Sequence, residues 1–289
     1  MSFKIITDST ANLSKEFYEE NQISVVTLYY NLNGEIFPAY MPDNPLHYEE
    51  FYAKMRKKPK ISTSCANENQ YYEEFEKAVK NGWKVLYVGF SKGVSASYTC
   101  AENASKRILE DYPNAKIYCV DTLTGSLGQG HFVKIATQMR KDGKSAQETR
   151  DYIYNNCLNI STYVTVDDLF FLYQGGRIPS ITYRLGSLIR IKPIIKITEQ
   201  GTLVSYSKVM TRKHSITALF NVVKDNIVNP EISTVYIAHA DCLVDAEILA
   251  TRIKEILKVK DVVIDFLEPV IGSHTGAGGL AVFFFSNGR

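Results

Sequence analysis

The sequence predicts an α/β protein in two parts: a Rossmann-like N-terminal domain with a parallel sheet, and a C-terminal α+β domain with a mixed sheet. The first 160 residues repeat strand, polar loop and helix, a pattern typical of parallel sheets covered by helices. Beyond them, hairpin signals mix with helices. At 289 residues the chain is also long for one core. We therefore predict domains at residues 1–160 and 161–289.

In the first domain, apolar runs rich in β-formers predict the strands, and helical spacing of apolar residues predicts the helices. The predicted strands are Phe3–Thr7, Ile23–Asn31, Trp83–Val88 and Lys116–Val120, with a hairpin turn at Asn33-Gly34. The predicted helices are Lys15–Glu20 capped by Ser14, Leu46–Lys58, one after Asn67, one from Ala101 to Tyr112, one from Gly130 to Lys141, and Ala146–Leu158.

The second domain is predicted to mix a hairpin with helix and strand pairs. Its predicted strands are Ser161–Val166, Ile191–Thr198, Thr202–Val209, Thr234–His239, Val262–Leu267 and Leu280–Phe285. Its predicted helical segments are Asp168–Gln174, one that starts at Pro179, Thr211–Asn226 and Val244–Leu257. Proline at the first helical position is favourable, because its missing N–H has no partner there in any case.

Composition and charge exclude several classes of protein. A net charge of +2 gives no large nucleic-acid footprint. The five cysteines are scattered without a CxxC pair, which argues against zinc and disulfide frameworks and fits a reducing compartment. The polar N-terminus does not resemble a signal peptide, and no apolar run is long enough to span a membrane. We expect a soluble cytoplasmic protein without metal or cofactor.

Small polar loops follow the predicted strands of the first domain. Asp8–Ser14, Ser91–Ser97 and Asp121–Gly130 each follow a strand, and Ser62–Asn67 precedes a helix. In parallel sheets such loops gather at the carboxyl ends of the strands, where ligands bind. The loop around Ser95 also opens a helix, whose first amides and dipole favour an anion. The alternative is that these hydroxyls only cap helices.

Among the five histidines, His274 stands out because glycines surround it just before a buried strand. Glycine permits close approach of a ligand, and a histidine there can donate to a carboxylate. His131 and His239 are interpreted as packing residues. The chain contains no GxSxG elbow and no Walker-type phosphate loop. Hydroxyls, amides and one histidine therefore indicate recognition of an anion, without an evident nucleophile and base.

An ordered set of motifs resembles the DegV family of bacterial fatty-acid-binding proteins. The motifs are Asp8-Ser9-Thr10, Thr63-Ser64, Ser91-Lys92-Gly93-Val94-Ser95, Gly175-Gly176-Arg177-Ile178, Ile191-Lys192-Pro193-Ile194 and the stretch from His274 to Gly279. The resemblance implies a two-domain α/β fold with one long-chain fatty acid in a buried apolar tunnel. It also implies that an ATP-dependent fatty-acid kinase uses that fatty acid to form an acyl phosphate for phospholipid synthesis. Transient contact with a membrane surface is compatible with this role.

The resemblance also implies which residues hold the ligand. Thr63 and Ser95 match hydroxyl donors to the carboxylate, with Ser64 beside the first and Ala96 beside the second. Ala96 is expected to offer its backbone amide. His274 matches a histidine near the same carboxylate.

Arg177 matches the arginine of the Gly-Gly-Arg-Ile stretch, which we expect at the pocket mouth as a contact for the kinase. Two departures bear on the pose of the head group. The family often has Gln-Pro where this chain has Cys65-Ala66, and it often has Gly where this chain has Ala96.

Three functions fit these patterns. The first is a non-catalytic lipid carrier that satisfies a buried carboxylate with hydroxyls. The second is a transferase or hydrolase acting on a small phosphorylated or acylated substrate at the same loops. The third is a regulatory protein that uses the pocket to sense an effector. The resemblance favours the carrier.

Overall fold

The computed structural model describes residues 3–42, 47–167, 169–178 and 191–289, which fall into two compact units. Unit 1 comprises Met1–Tyr29, Pro38–Pro45 and Ser64–Cys157, and unit 2 comprises Tyr30–Phe37, Leu46–Thr63 and Leu158–Arg289. Both units are thus discontinuous along the chain. The predicted boundary at residue 160 stays a prediction, and the structure adds that two earlier segments belong with the C-terminal half.

Unit 1 is built on a parallel four-stranded sheet in the order β2-β1-β6-β7. Its strands are β1 (Lys4–Asp8), β2 (Ser24–Val26), β6 (Val85–Gly89) and β7 (Ile117–Asp121). Its helices are α1 (Lys15–Glu20), α3 (Glu68–Lys80), α4 (Ser97–Asp111), α5 (Ser126–Lys141) and α6 (Ala146–Asn156). Short 3-10 turns cover Ser9–Ala11 and Cys157–Asn159. The predicted parallel sheet is confirmed.

The described part of unit 2 contains a six-stranded mixed sheet in the order β10-β9-β8-β13-β11-β12. Its strands are β8 (Ile160–Thr165), β9 (Ile191–Ile197), β10 (Leu203–Met210), β11 (Thr234–His239), β12 (Asp261–Phe266) and β13 (Leu280–Phe285). Only the β11–β12 pair is parallel among these pairings. The helices are α2 (Tyr48–Met55), α7 (Phe170–Gln174), α8 (Arg212–Asn226), α9 (Leu243–Leu257) and α10 (Pro269–Thr275), with a 3-10 turn at Pro230–Ile232.

A separate three-stranded sheet joins β3 (Tyr29–Leu32), β4 (Glu35–Pro38) and β5 (Ile61–Ser64). The predicted hairpin turn is confirmed: Asn33 and Gly34 both have positive φ, at 55° and 99°. Such angles match the twist of paired strands and suit asparagine and glycine.

Each unit has its own apolar core. In unit 1, Phe75 and Tyr87 are fully buried beside Ile108, and each large side chain contributes about 1.5–3 kcal/mol on burial. In unit 2, Leu219 and Val282 are fully buried in one cluster. These cores make each sheet with its helices a rigid support for the loops at its edges.

Four sequence predictions need correction. The predicted strand Ile23–Asn31 is two short strands, β2 and β3, in different sheets. Thr63 and Ser64 end strand β5 and do not lie in a loop. His274 lies in helix α10, because Pro269 starts that helix and the Glu268 carboxylate accepts hydrogen bonds from its first free amides.

The fourth correction concerns helix α5, which begins at Ser126, inside the predicted loop. The predicted helical turns at Asp168–Gln174 are α7, which spans Phe170–Gln174. The helix predicted to start at Pro179, to which Tyr183, Leu185, Leu188 and Ile189 were assigned, lies outside the described residues.

Candidate functional site

In unit 2, Thr63, the penultimate residue of β5, lies beside His274 in the last turn of helix α10. Thr63 Oγ1 lies 2.8 Å from His274 Nε2, although the two residues are far apart in sequence. Thr63 is half-buried and His274 is 9% exposed. Two residues that the resemblance assigns to the same carboxylate therefore form one hydrogen-bonded pair.

His274 is uncharged at neutral pH. Burial, and secondly the positive charge of Arg177, lower the pKa of its imidazole to about 3. In the neutral ring one nitrogen donates and the other accepts. The pair therefore offers dipoles and hydrogen bonds to a ligand, and no positive charge of its own.

The second ring nitrogen of His274, Nδ1, is buried and has no hydrogen-bond partner among the residues that the structure describes. It faces the backbone at Gly175, where a side chain would place its Cβ 2.0 Å from Nδ1. A proton on Nδ1 would be a buried donor without an acceptor, which is costly. We therefore assign the proton to Nε2, which donates to Thr63 Oγ1 and leaves the Thr63 hydroxyl hydrogen free for another acceptor.

Arg177 belongs to the same neighbourhood in unit 2. It follows α7 and is half-buried, its backbone amide donates to the Leu172 carbonyl at 2.9 Å, and its Nη1 donates to the Gly175 carbonyl. Its charge is close enough to His274 to act on the pKa of that ring. The sequence proposed Arg177 as a contact for a partner; the structure adds that it lies within electrostatic reach of the histidine.

The remaining candidates lie in unit 1. Ser64 is exposed at the end of β5. Ser95 is half-buried, and its Oγ accepts from the Ser97 amide at 3.2 Å, so its hydroxyl hydrogen stays available to a ligand. Ala96 is exposed in the N-cap position of α4. Ser95, which the sequence favoured over its neighbours, thus also satisfies the amide of the first residue of α4.

The loop before α4 is held by hydrogen bonds to the loop that follows β7. The Ser91 amide donates to the Thr124 carbonyl at 3.0 Å, and the Lys92 amide lies 3.3 Å from an Asp121 carboxylate oxygen. The register of the sheet pairs Gly89 with Asp121. For these two loops, the predicted gathering at the carboxyl ends of the strands is confirmed.

A buried network around Asp8 was not predicted from the sequence. The Asp8 carboxylate is fully buried and accepts hydrogen bonds from Tyr87 Oη at 2.7 Å, Gln129 Nε2 at 3.1 Å and the Thr10 amide at 3.1 Å. The Phe90 amide at 3.2 Å and the Thr10 hydroxyl donate to it as well. The only sequence signal was the position of Asp8 at a strand end, followed by two hydroxyl residues.

From Asp8 the network continues to the start of α4. Tyr87 Oη lies 3.2 Å from Tyr71 Oη, which lies 2.5 Å from Ser97 Oγ. Burial, and secondly the Asp8 charge, raise the pKa of both phenols far above the usual value. Both tyrosines therefore remain protonated donors. They connect strand β6 to Ser97, the first residue of α4.

Within the described residues, no group of three or more His, Cys, Asp or Glu side chains is arranged to hold a metal ion. Over the same ranges, no helix combines the length and apolar character that crossing a bilayer requires.

The fold and the Thr63–His274 pair define a class: an α/β protein of two units whose second unit carries a buried, uncharged hydrogen-bonding centre. The model of the family described as "Uncharacterised protein, DegV family" matches residues 2–287. A DegV domain-containing protein of Clostridium perfringens is 41% identical over 285 residues, 99% of this chain and 98% of the relative. The chain belongs to the DegV family, and the resemblance found in the sequence is confirmed.

Solved structures of the family share the fold. A fatty acid binding DegV family protein from Streptococcus agalactiae superposes with a TM-score of 0.85 at 25% identity, covering 99% of each chain. A Thermus thermophilus DegV family protein, described for its fatty acid binding, gives a TM-score of 0.88 at 23% identity over 99% of this chain and 100% of that one. A Eubacterium ventriosum protein is described as binding stearic acid, with a TM-score of 0.85, 23% identity and 98% of each chain covered.

Proposed function

We propose that this protein binds a long-chain fatty acid in a buried apolar tunnel and holds its carboxylate through hydroxyls, with the Thr63 hydroxyl oriented by the hydrogen bond that it accepts from His274. The observation that carries the proposal is the part-buried Thr63–His274 pair, in which the Thr63 hydroxyl hydrogen has no assigned acceptor among the described residues. A carboxylate oxygen is an acceptor of the required kind. The described ligands of DegV relatives support the same chemistry.

The energetics suit a ligand with one anionic end and a long apolar remainder. Burial of the alkyl chain contributes about 0.8 kcal/mol for each methylene group. A buried carboxylate is costly unless it is hydrogen-bonded. The Thr63 hydroxyl supplies such a bond, and the nearby Arg177 supplies a counter-charge that the neutral His274 does not.

Ser64, Ser95 and Ala96 remain sequence-based candidates for the same carboxylate. The available hydrogen of Ser95 and the position of Ala96 at the start of α4 support them, because helix N-termini favour anions. Substitution of each residue singly, followed by measurement of fatty-acid affinity, tests its contribution.

The carrier role is supported over the enzyme role by the surroundings of Ser95. Within the described part of the chain, its Oγ is hydrogen-bonded to the Ser97 amide and to no histidine or carboxylate. An activated serine nucleophile requires a base within hydrogen-bond reach. We therefore propose that the chain itself performs no catalysis and acts by binding.

We further propose that the protein presents the fatty acid to an ATP-dependent kinase, which forms an acyl phosphate for phospholipid synthesis. Arg177 is the candidate contact for that partner. Reconstitution with the kinase subunit, ATP and loaded protein should yield acyl phosphate. Loaded protein that binds no kinase subunit and supports no acyl phosphate would contradict this part alone.

The binding proposal is tested on the full chain purified from a bacterial host. Native mass spectrometry and organic extraction should recover a long-chain fatty acid, and delipidated protein should rebind a fluorescent fatty acid. Thr63→Val should release the ligand, Thr63→Ser should retain it, and Thr251→Val, at an exposed threonine on α9, should behave as the wild type. Protein that is repeatedly empty and ignores added fatty acid would overturn the proposal.

A further inference from the structure

A groove lies at the amino-terminal edge of the parallel sheet in unit 1. Its volume is about 540 Å³, which is within the range of small-molecule sites. Strand β6 runs from Val85 at this edge to Gly89, about 13 Å away, and the loop that carries Ser95 follows Gly89. A ligand in the groove and a ligand at Ser95 would therefore occupy opposite edges of the same sheet.

The ends of two helices shape the groove. Helix α3 ends at Lys80, and Gly82 then turns the chain with a φ of 77° while its amide donates to the Val79 carbonyl at 2.9 Å. Such a φ favours glycine, and no other atom lies close to the place where a side chain would start. After α4, the Ala115 amide donates to the Tyr112 carbonyl at 2.9 Å and closes a second turn. Both turns line the groove.

Two lysines line the groove side by side. Val85 and Ile117 are register partners on β6 and β7, and the Val85 amide donates to the Lys116 carbonyl at 2.9 Å. Lys84 and Lys116 directly precede that pair, on neighbouring strands about 4.8 Å apart. Both are exposed, and neither side chain is paired with a residue that the structure describes. Adjacent like charges repel each other, so an anion bound to both is favourable.

Two aromatic rings line the same groove. Trp83 and Tyr112 are half-buried and pack against the apolar core of unit 1. The Tyr112 hydroxyl donates to Glu76 at 2.8 Å, and Glu76 is in turn paired with Lys80 at 3.0 Å. Because packing and hydrogen bonds hold them, these rings offer preformed surfaces on which a planar base can stack.

The carboxylate that lines the groove belongs to Asp111, the last residue of α4. One of its oxygens, Oδ2, accepts a hydrogen bond from the Tyr72 hydroxyl at 2.6 Å. Asp111 is exposed, and its Oδ1 has no donor within the described ranges. A free carboxylate oxygen of this kind accepts hydrogen bonds from ribose hydroxyls in nucleotide sites.

We propose that this groove binds a nucleoside monophosphate. Its base stacks on Trp83 and Tyr112, and a ribose hydroxyl donates to Asp111. Its phosphate accepts hydrogen bonds from Lys84 and Lys116, which bind phosphate as point charges. An aliphatic anion would leave the rings unused, and an uncharged aromatic compound would leave the lysines unpaired. This inference goes beyond fatty-acid binding and does not depend on it.

The test uses the fluorescence of Trp83, the only tryptophan of the chain. Full-length protein is titrated with AMP and, in parallel, with adenosine, ribose 5-phosphate and inorganic phosphate. We expect AMP to change the fluorescence with saturation and to bind about tenfold more tightly than adenosine or ribose 5-phosphate, because only AMP engages both the rings and the lysines. Isothermal titration calorimetry measures the same affinities without the fluorophore.

Removal of the two positive charges should act on the phosphate alone. The double variant Lys84→Gln, Lys116→Gln should weaken AMP binding by about tenfold or more and leave adenosine binding unchanged. The matched control is Lys106→Gln, at an exposed lysine on α4 that does not line the groove, and it should bind AMP as the wild type does.

Wild-type protein decides the question even where a variant fails to fold. Absence of saturable AMP binding by both methods would overturn the proposal, as would equal affinity for AMP and adenosine or for AMP and inorganic phosphate. AMP binding that calorimetry detects while the Trp83 fluorescence stays constant would place the nucleotide outside the groove and overturn it as well.

Discussion

Asp8 in unit 1 and His274 in unit 2 are both buried polar side chains, but their hydrogen bonding differs. The Asp8 carboxylate accepts from five donors, and every one belongs to its own unit. Within the described ranges, the His274 side chain has one partner, Thr63, and its Nδ1 atom has none. A complete network stabilises a fold, whereas an incomplete one lowers stability and has capacity for a ligand. The comparison therefore assigns Asp8 to the scaffold that stabilises the fold and His274 to the candidate site.

The strongest test of the comparison removes the centre of the complete network. Asp8→Ala would leave buried donors without an acceptor, and we expect it to lower the free energy of unfolding by about 4 kcal/mol or more. Trp83, the only tryptophan, lies in unit 1, so its fluorescence in urea reports on that unit. Asp8→Asn, which keeps one carbonyl acceptor, should cost less. If Asp8→Ala lowers the free energy of unfolding by less than about 1 kcal/mol, Asp8 does not contribute to the stability of the fold as proposed.

The second test uses acid. Because the pKa of His274 is lowered to about 3, the unfolded chain binds a proton there below the usual pKa of 6.5, whereas the folded protein does not. Stability is therefore lost as pH falls through this window, by about 1.4 kcal/mol for each pH unit. The difference in stability between wild type and His274→Gln, measured in urea by circular dichroism, should shift by that amount. A difference independent of pH would show that the folded protein binds the proton as readily as the unfolded chain.

The third test removes the hydroxyl of the Thr63–His274 pair. Thr63→Val does so at nearly constant volume, and we expect about tenfold or weaker fatty-acid affinity. The free energy of unfolding should also fall by about 1–3 kcal/mol, because the buried Nε2–H of His274 loses its acceptor. Titration of delipidated protein with a fluorescent fatty acid measures the affinity, and Thr63→Ser is the matched control. If stability falls and fatty-acid affinity is unchanged, Thr63 stabilises the fold and does not bind the ligand.

The smallest effect is expected at Arg177. This side chain is half-buried, and partly screened charges contribute about 1 kcal/mol or less, so Arg177→Gln should weaken fatty-acid binding by about fivefold at most. Arg177→Lys should restore most of the loss at low salt. Full affinity in Arg177→Gln, together with lost binding of the kinase subunit, would assign the arginine to partner contact alone.

The sequence predicted the elements whose signals are local. The apolar runs of β1, β6 and β7 were recognised, and the Ser14 cap of α1 is confirmed by its hydrogen bond from the Phe17 amide at 3.2 Å. The helix that carries His274 was missed because its glycine and small polar residues lack helical periodicity. Its real signal was Glu268 followed by Pro269, an N-cap and a first-turn proline.

The same limit applies to the site. The resemblance placed Thr63 and His274 near one carboxylate, but nothing in the spacing could show that they share a hydrogen bond. Gly175 was quoted only as part of a motif, whereas its lack of a side chain gives the His274 ring its place. The Asp8 network joins residues from four separate segments of chain. Such contacts depend on tertiary packing, which sequence periodicity does not encode.

Helix α10 is fixed to its surroundings at its first turn. The Tyr52 hydroxyl donates to the Leu267 carbonyl at 2.5 Å, and the buried Glu268 carboxylate accepts from the Val270 and Ile271 amides at 2.7 Å. The His274 ring therefore has its orientation before any ligand arrives. The rotamer entropy of that ring is lost during folding, so a ligand that binds at the Thr63–His274 pair does not have to order the ring again. For the proposed fatty-acid ligand, differences in affinity should then arise from the alkyl chain.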